Sequence, residues 1–164
     1  MRNKSLIRPM VKTDSRWLET FLYLAVHVPA GQKPYPKSII KEPSIDIYIK
    51  DYGKPDDVGF VADQDGEVVG MAFSRILAGP EVKGYGNIDA NTPELLISVL
   101  PDYRGQGIGS RLVKALHAEL AGCGYARISL SVQKTNPAVT LYTRMGYNVI
   151  EEQDDDYIMI KQLT

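Results

Sequence analysis

Residues 94–116, ELLISVLPDYRGQGIGSRLVKAL, join an apolar run to a turn with Gly105, Gly107 and Gly109 within five positions, and then to an amphipathic helical period. Each glycine costs a helix roughly 0.5–1 kcal/mol relative to alanine. A strand leaving through such a turn into a helix places the chain in the α/β class. The first N–H groups of that helix have no internal partner and lie at the positive end of its dipole. Without Cβ atoms the turn can approach an anion closely, so the segment reads as a phosphate cradle. Close helix–strand packing through a plain glycine-rich loop is the competing reading of these residues alone.

The rest of the chain supplies a sheet for that strand. Residues 5–11 read as a strand, and TDSRWLETFLYLAV as a helix with Thr13 or Asp14 as its cap and Trp17, Leu18, Phe21, Leu22 and Ala25 in helical period. The segment 27–43 holds four prolines, and 44–53 fits either a short helix ended by Gly53 or a strand. Asp65-Gly66 between the apolar runs 57–64 and 67–76 predicts a hairpin. After the loop 78–93 come the strand 94–100, a helix to about Ala121, the strand 126–132, a short helix at 136–146 and a last antiparallel pair. The acidic stretch 151–156 reads as a solvated turn in that pair. A mixed sheet flanked by helices, in one domain over 1–164, is the expectation.

Composition excludes several classes. Net charge is −1, so no basic field points to nucleic acid or an anionic membrane surface. The single cysteine, Cys123, rules out an internal disulfide framework and fits a reducing compartment. The N-terminus holds no run apolar enough for a signal peptide, and 21–26 is too short to span a bilayer. A cytoplasmic location is expected. No His or Cys flanks the acidic stretch, so no metal site is expected there.

Among phosphate-binding turns, a P-loop needs a lysine before Ser110 that this chain lacks. A dinucleotide fingerprint needs its third glycine where Ser110 stands. Arg104-Gly105-Gln106-Gly107-Ile108-Gly109 instead resembles the [RQ]-x-x-G-x-[GA] loop of the GNAT superfamily of N-acyltransferases. ELLISVLPDYRGQGIG is similar to that family's central strand and its exit. NPAVTLYTRMGY resembles its second signature at Asn136, Ala138, Leu141, Tyr142, Arg144, Gly146 and Tyr147.

That resemblance implies a fold and a chemistry. The two central parallel strands, 94–100 and 126–132 here, would splay apart and take the pantetheine arm of acetyl-CoA against their backbone, with Leu100 at the exit. Arg104, Gly105, Gln106, Gly107, Ile108, Gly109 and Ser110 would hold the pyrophosphate, and Asn136 would cap its helix and touch the cofactor. An amine would attack the thioester directly in a complex of both substrates, with no metal. Tyr142 matches the family's tyrosine facing the sulfur and is the expected general acid; a packed core tyrosine is the alternative. Glu94 is the local candidate for general base, one residue out of the commonest register, where strand alternation could turn it from the cleft. Asp89, the Tyr85 loop and strand carbonyls acting through water remain alternatives.

Cys123, between two glycines at a helix end, shows nothing that would activate a thiolate. His117 reads as an exposed mid-helix residue, and His27 as a surface group that could border the acceptor pocket. Tyr35, Tyr48 and Tyr52 read as core and lid packing, with an acceptor-facing role as the alternative. The acceptor is expected to be a small-molecule or peptide amine, set by 24–55 and 78–93, and the protein a monomer or homodimer. A non-catalytic acyl-CoA-binding module of the same fold is the alternative function.

Overall fold

The computed structural model describes residues 4–163; residues 1–3 and 164, the ends of the expected domain, lie outside the described residues. Seven strands form one sheet in the order β1-β2-β3-β4-β5-β7-β6. They are β1 (Leu6–Pro9), β2 (Val58–Gln64), β3 (Glu67–Arg75), β4 (Glu94–Val99), β5 (Arg127–Gln133), β6 (Asn148–Glu152) and β7 (Asp156–Gln162). The helices are α1 (Leu18–Ala25), α2 (Pro43–Asp46), α3 (Ile108–Gly122) and α4 (Ala138–Arg144). The β2–β3 hairpin turns through Asp65 and Gly66, both at positive φ, as the Asp-Gly pair predicts.

Helices cover both faces, so the central strands bury nearly every side chain. On one face Leu112, Val113, Leu116 and Leu120 of α3 pack on Val69, Ala72, Leu95, Ile128 and Leu130. On the other, Phe21 and Leu22 of α1 pack on Val61, Met71, Phe73 and Leu96. Strand β4 divides by its period of two. Leu95, Ile97 and Val99 belong to the α3 face. Leu96 and Ser98 belong to the α1 face, where the Ser98 hydroxyl donates to the Phe21 carbonyl at 2.7 Å.

The sheet is antiparallel except between β4 and β5. That parallel pair shares one register position, Glu94 opposite Ser129, beside a Ser129 N–H bond to the Pro93 carbonyl at 3.0 Å. On its outer side β4 pairs with β3 from Glu94 to Val99, and β5 pairs with β7 along its whole length. Held outward on both sides and joined at one point, the two strands part toward their C-terminal ends. This is the splay expected from the sequence.

The segment after α2 is set by a buried cation. Arg75 forms an ion pair with Asp57 at 2.9 Å, with both side chains 4% exposed, and donates to the carbonyls of Ile47 at 3.1 Å and Lys50 at 2.8 Å. Those carbonyls are turned inward to the guanidinium, which resolves 44–53 as helix and turns rather than strand. Two details differ from expectation. A 3-10 turn over Lys12–Trp17 precedes α1, and Asp14 is not its cap: buried, it pairs with Arg8 at 2.8 Å and accepts the Val11 N–H at 2.8 Å. The acidic stretch is only partly a turn, since Glu151 and Glu152 lie in β6 and Asp156 opens β7.

Removing one partner of a buried ion pair leaves the other charge uncompensated, at about 3–5 kcal/mol. Asp57→Ala is expected to lower stability by that order, read from the urea midpoint.

Candidate functional site

At the open end of β4 the glycine turn has the geometry of an anion cradle. Gly105 and Gly107 have φ of 74° and 80°, a region that glycine enters without steric cost. The first N–H of the following helix to bond backward is that of Arg111, to the Gly107 carbonyl at 3.1 Å. The N–H groups of Ile108, Gly109 and Ser110 are therefore the bare first donors of the fifteen-residue α3. Gly109 faces Ile97 and Leu141, which joins the cradle to the splay. Arg104 is exposed and donates to the Val99 carbonyl at 3.0 Å, tying the turn to the end of β4. Leu100 spends its N–H on the Val69 carbonyl at 2.8 Å and its carbonyl on the Tyr103 N–H at 2.9 Å, and its side chain packs against the core.

Helix α4 flanks the splay from the β5 side. Asn136 accepts the Ala138 N–H at 2.9 Å and so caps that helix, as expected. Tyr142 is half-buried, and no hydrogen bond of its hydroxyl is found among the described residues. Burial pushes its pKa up to about 12, so the hydroxyl keeps its proton at neutral pH. Its ring lies 5.7 Å from that of Tyr147.

Glu94 lies at the pinch of the two strands, on the α1 face, with 2% exposure. Its Oε2 accepts the Tyr48 hydroxyl, and the Tyr48 oxygen in turn accepts the Tyr85 N–H at 2.9 Å. No hydrogen bond reaches Oε1. Burial lifts the carboxyl to about 7, with the Tyr48 hydroxyl and the nearby Gly86 N–H pulling the other way. Ser129, its neighbour across the register, also has a buried hydroxyl without a partner. The 78–93 loop closes over this pair. A Cβ on Gly84 would stand 2.0 Å from Glu94 Oε1, and one on Gly86 would stand 2.6 Å from the backbone at Leu130–Ser131.

No hydrogen bond joins Glu94 to Tyr142, which contacts the core on the α3 side of the sheet. Ser129, Ser131 and Gln133 alternate along β5 on the Glu94 face, and Gln133 reaches a cleft of about 400 Å³ lined also by Pro29, Tyr35, Thr135 and Asp154. His27 borders it through a 3.0 Å contact with Thr135.

Other candidates fall away from the splay. Asp89 is paired with Arg127 at 2.6 Å, and bonds from Thr92, Asn91 and Arg127 hold its pKa low. Cys123 is exposed at the far end of α3. His117 is not the surface residue expected. It is buried, 2.7 Å from the Tyr147 hydroxyl, and burial, with the charge of Lys161 second, pushes its pKa down to about 4. The signal was present: 117 follows Val113 by four residues and precedes Leu120 by three, on the buried stripe of α3. Tyr48 was read as core or lid packing, with an acceptor-facing role as the alternative, and not as a partner of Glu94. Its partner Glu94 is forty-six residues away in sequence, and no spacing announces that bond. Among the described residues no group of His, Cys, Asp or Glu gathers as a metal site, and no helix is long and apolar enough to cross a membrane.

The model of the Acetyltransferase (GNAT) family matches residues 24–147. The chain belongs to that family. It is 34% identical over 124 residues to the acetyltransferase SG1711 of Sodalis glossinidius, covering 74% of this chain and 76% of that one. It is 32% identical over 114 residues to an N-alpha-acetyltransferase of Sulfurisphaera tokodaii, covering 63% and 68%. In fold it is similar to the PaiA N-acetyltransferase of Thermoplasma acidophilum, solved with coenzyme A, at a TM-score of 0.72 and 19% identity over 98% of this chain and 99% of that one. This GNAT chain is accordingly an acyltransferase, with the mixed, splayed sheet of its fold.

The two buried titratable groups affect stability in opposite senses. Between about 4 and 6.5 the folded state leaves His117 neutral while the unfolded chain protonates it, so its contribution is lost as pH falls through that window. Between 4.5 and about 7 the folded state keeps Glu94 protonated while the unfolded chain ionises it, so its contribution is lost as pH rises. Glu94→Gln is expected to gain up to about 3 kcal/mol over wild type above neutral pH, and His117→Asn to flatten the acid side. Urea denaturation across that range checks both.

Proposed function

We propose that this GNAT protein transfers an acetyl group from acetyl-CoA to an amine by direct attack, with both substrates bound together. The observation that carries the reading is the single-point contact of β4 and β5, with bare α3 donors after β4 and Tyr142 on α4, the helix packed against β5. The described residues fit coenzyme A. Gly105, Gln106, Gly107, Ile108, Gly109 and Ser110 offer backbone donors to a pyrophosphate, and Arg104 adds an exposed cation. The splayed backbone and the Leu100 side chain suit the pantetheine arm, and Asn136 lines its α4 side. Acetyl-CoA supplies the thioester, whose carbon takes the amine and whose sulfur departs.

Tyr142 gives its proton to the departing sulfur. Its raised pKa suits an acid that must stay protonated until charge develops beside it. Glu94 takes the proton the amine loses. Lifted to about 7, it is ionised in part at neutral pH and basic enough to accept that proton. The row Ser129, Ser131 and Gln133 links it to the cleft at Gln133, through which the amine enters. The segments 24–55 and 78–93 border this route and set the acceptor.

Acetyl-CoA-dependent thiol release against a panel of amino acids, peptides, polyamines and aminoglycosides tests the reading. Tyr142→Phe is expected to lose at least about 100-fold in amine-stimulated release while binding coenzyme A as wild type does. Equal release by both proteins would remove Tyr142 from the reaction.

A further inference from the structure

We propose that Tyr48 is a positioning residue for this reaction, acting through Glu94: its hydroxyl clamps one carboxylate oxygen and the 78–93 loop together, and leaves the other, unbonded oxygen as the proton acceptor. The inference rests on the reading of Glu94 as the base.

The polarity of the clamp follows from counting protons. A tyrosine hydroxyl has one proton to donate. The Tyr48 oxygen accepts the Tyr85 N–H at 2.9 Å, which aims its own proton at Glu94 Oε2. Tyr48 cannot easily swing away. It is buried, and Arg75 holds the carbonyls on either side of it, those of Ile47 and Lys50. The loop adds a second tie where the Tyr85 hydroxyl contacts Ser44 Oγ at 3.1 Å. Oε1 then lies against Gly84, where any Cβ would collide with it, on the face shared with the unpartnered Ser129 hydroxyl.

No other side chain among the described residues bonds to Glu94. Arg75 stands opposite it on β3, but its charge is spent on Asp57 and backbone carbonyls. Arg127, on the Glu94 face of β5, is spent on Asp89 and Thr92. From the loop, Tyr85 presents its N–H to Tyr48 and its hydroxyl to Ser44. Tyr48 is therefore the side chain whose donation, with the Gly86 N–H second, favours the Glu94 anion against its burial.

The test is the pH dependence of kcat/KM, with acetyl-CoA and the panel amine that gives the fastest thiol release. Tyr48→Phe is expected to move the acid limb upward by about one pH unit. Fluorotyrosine at position 48, a stronger donor of nearly the same size, keeps the fold and is expected to move it downward. Carboxyl carbon NMR reads the same shifts without an acceptor, the Glu94 signal being the one lost in Glu94→Gln. A purely structural Tyr48 would lower the rate and leave both the limb and the NMR midpoint in place, and that result overturns the proposal. If Glu94→Gln is inactive while the Tyr48 variants leave the limb unmoved, the clamp alone is wrong. If Glu94→Gln keeps the wild-type rate and limb, the base assignment fails and the clamp with it.

Discussion

The single register position joining β4 to β5 is the constraint on which the remaining structure depends. Each strand is fully paired on its outer side, so neither can follow the other inward beyond Glu94 and Ser129. Past that point their facing backbone groups have no ladder, and buried backbone groups without partners are costly. A polar chain laid between them would satisfy those groups, which is why a gap of this kind suits an extended amide-containing ligand. The cradle on α3, the hydroxyl of Tyr142 on α4 and the carboxylate of Glu94 are all set by where the strands part.

Two buried charges on the α1 face show how differently one environment can be used. Arg75 is saturated by Asp57 and the carbonyls after α2, and holds a turn in place. Glu94 has a side-chain partner on one oxygen alone, and burial raises its proton affinity. A fully paired buried charge specifies structure, whereas a half-paired one is poised to exchange a proton. The two meet at the segment carrying Tyr48, so the structural cation supports the residue that bonds to Glu94. Glycines 84 and 86 complete the arrangement, because their missing side chains let the loop lie against Glu94 Oε1 and the β5 backbone.

Much of this was legible in the sequence because it is local. Glycines that must take left-handed angles, an Asp-Gly hairpin, an asparagine two residues before the N–H it accepts and an apolar stripe of period 3.6 act over a few residues. The family resemblance at 94–147 adds the splay and the place of Tyr142. The same locality explains a miss that need not have occurred: His117 lies on the buried stripe of α3, and its polarity hid a position that periodicity assigned to the interior. The acidic run at 151–156 was read from charge alone, while hairpin register decided that its ends are strand.

The sequence by itself determined the class of fold, the element order, the left-handed glycine turn that opens α3 and the short helix that carries Tyr142, since each is written in neighbouring residues. Tertiary structure alone decided that Glu94 faces α1 rather than α3, that Tyr48 and the 78–93 loop close on it, and that Arg75 fixes the segment between. Those contacts join residues 18 to 46 positions apart. At such separations no spacing rule applies: only the packing of helices on both faces of a parting sheet brings these groups together, and burial then sets their chemistry.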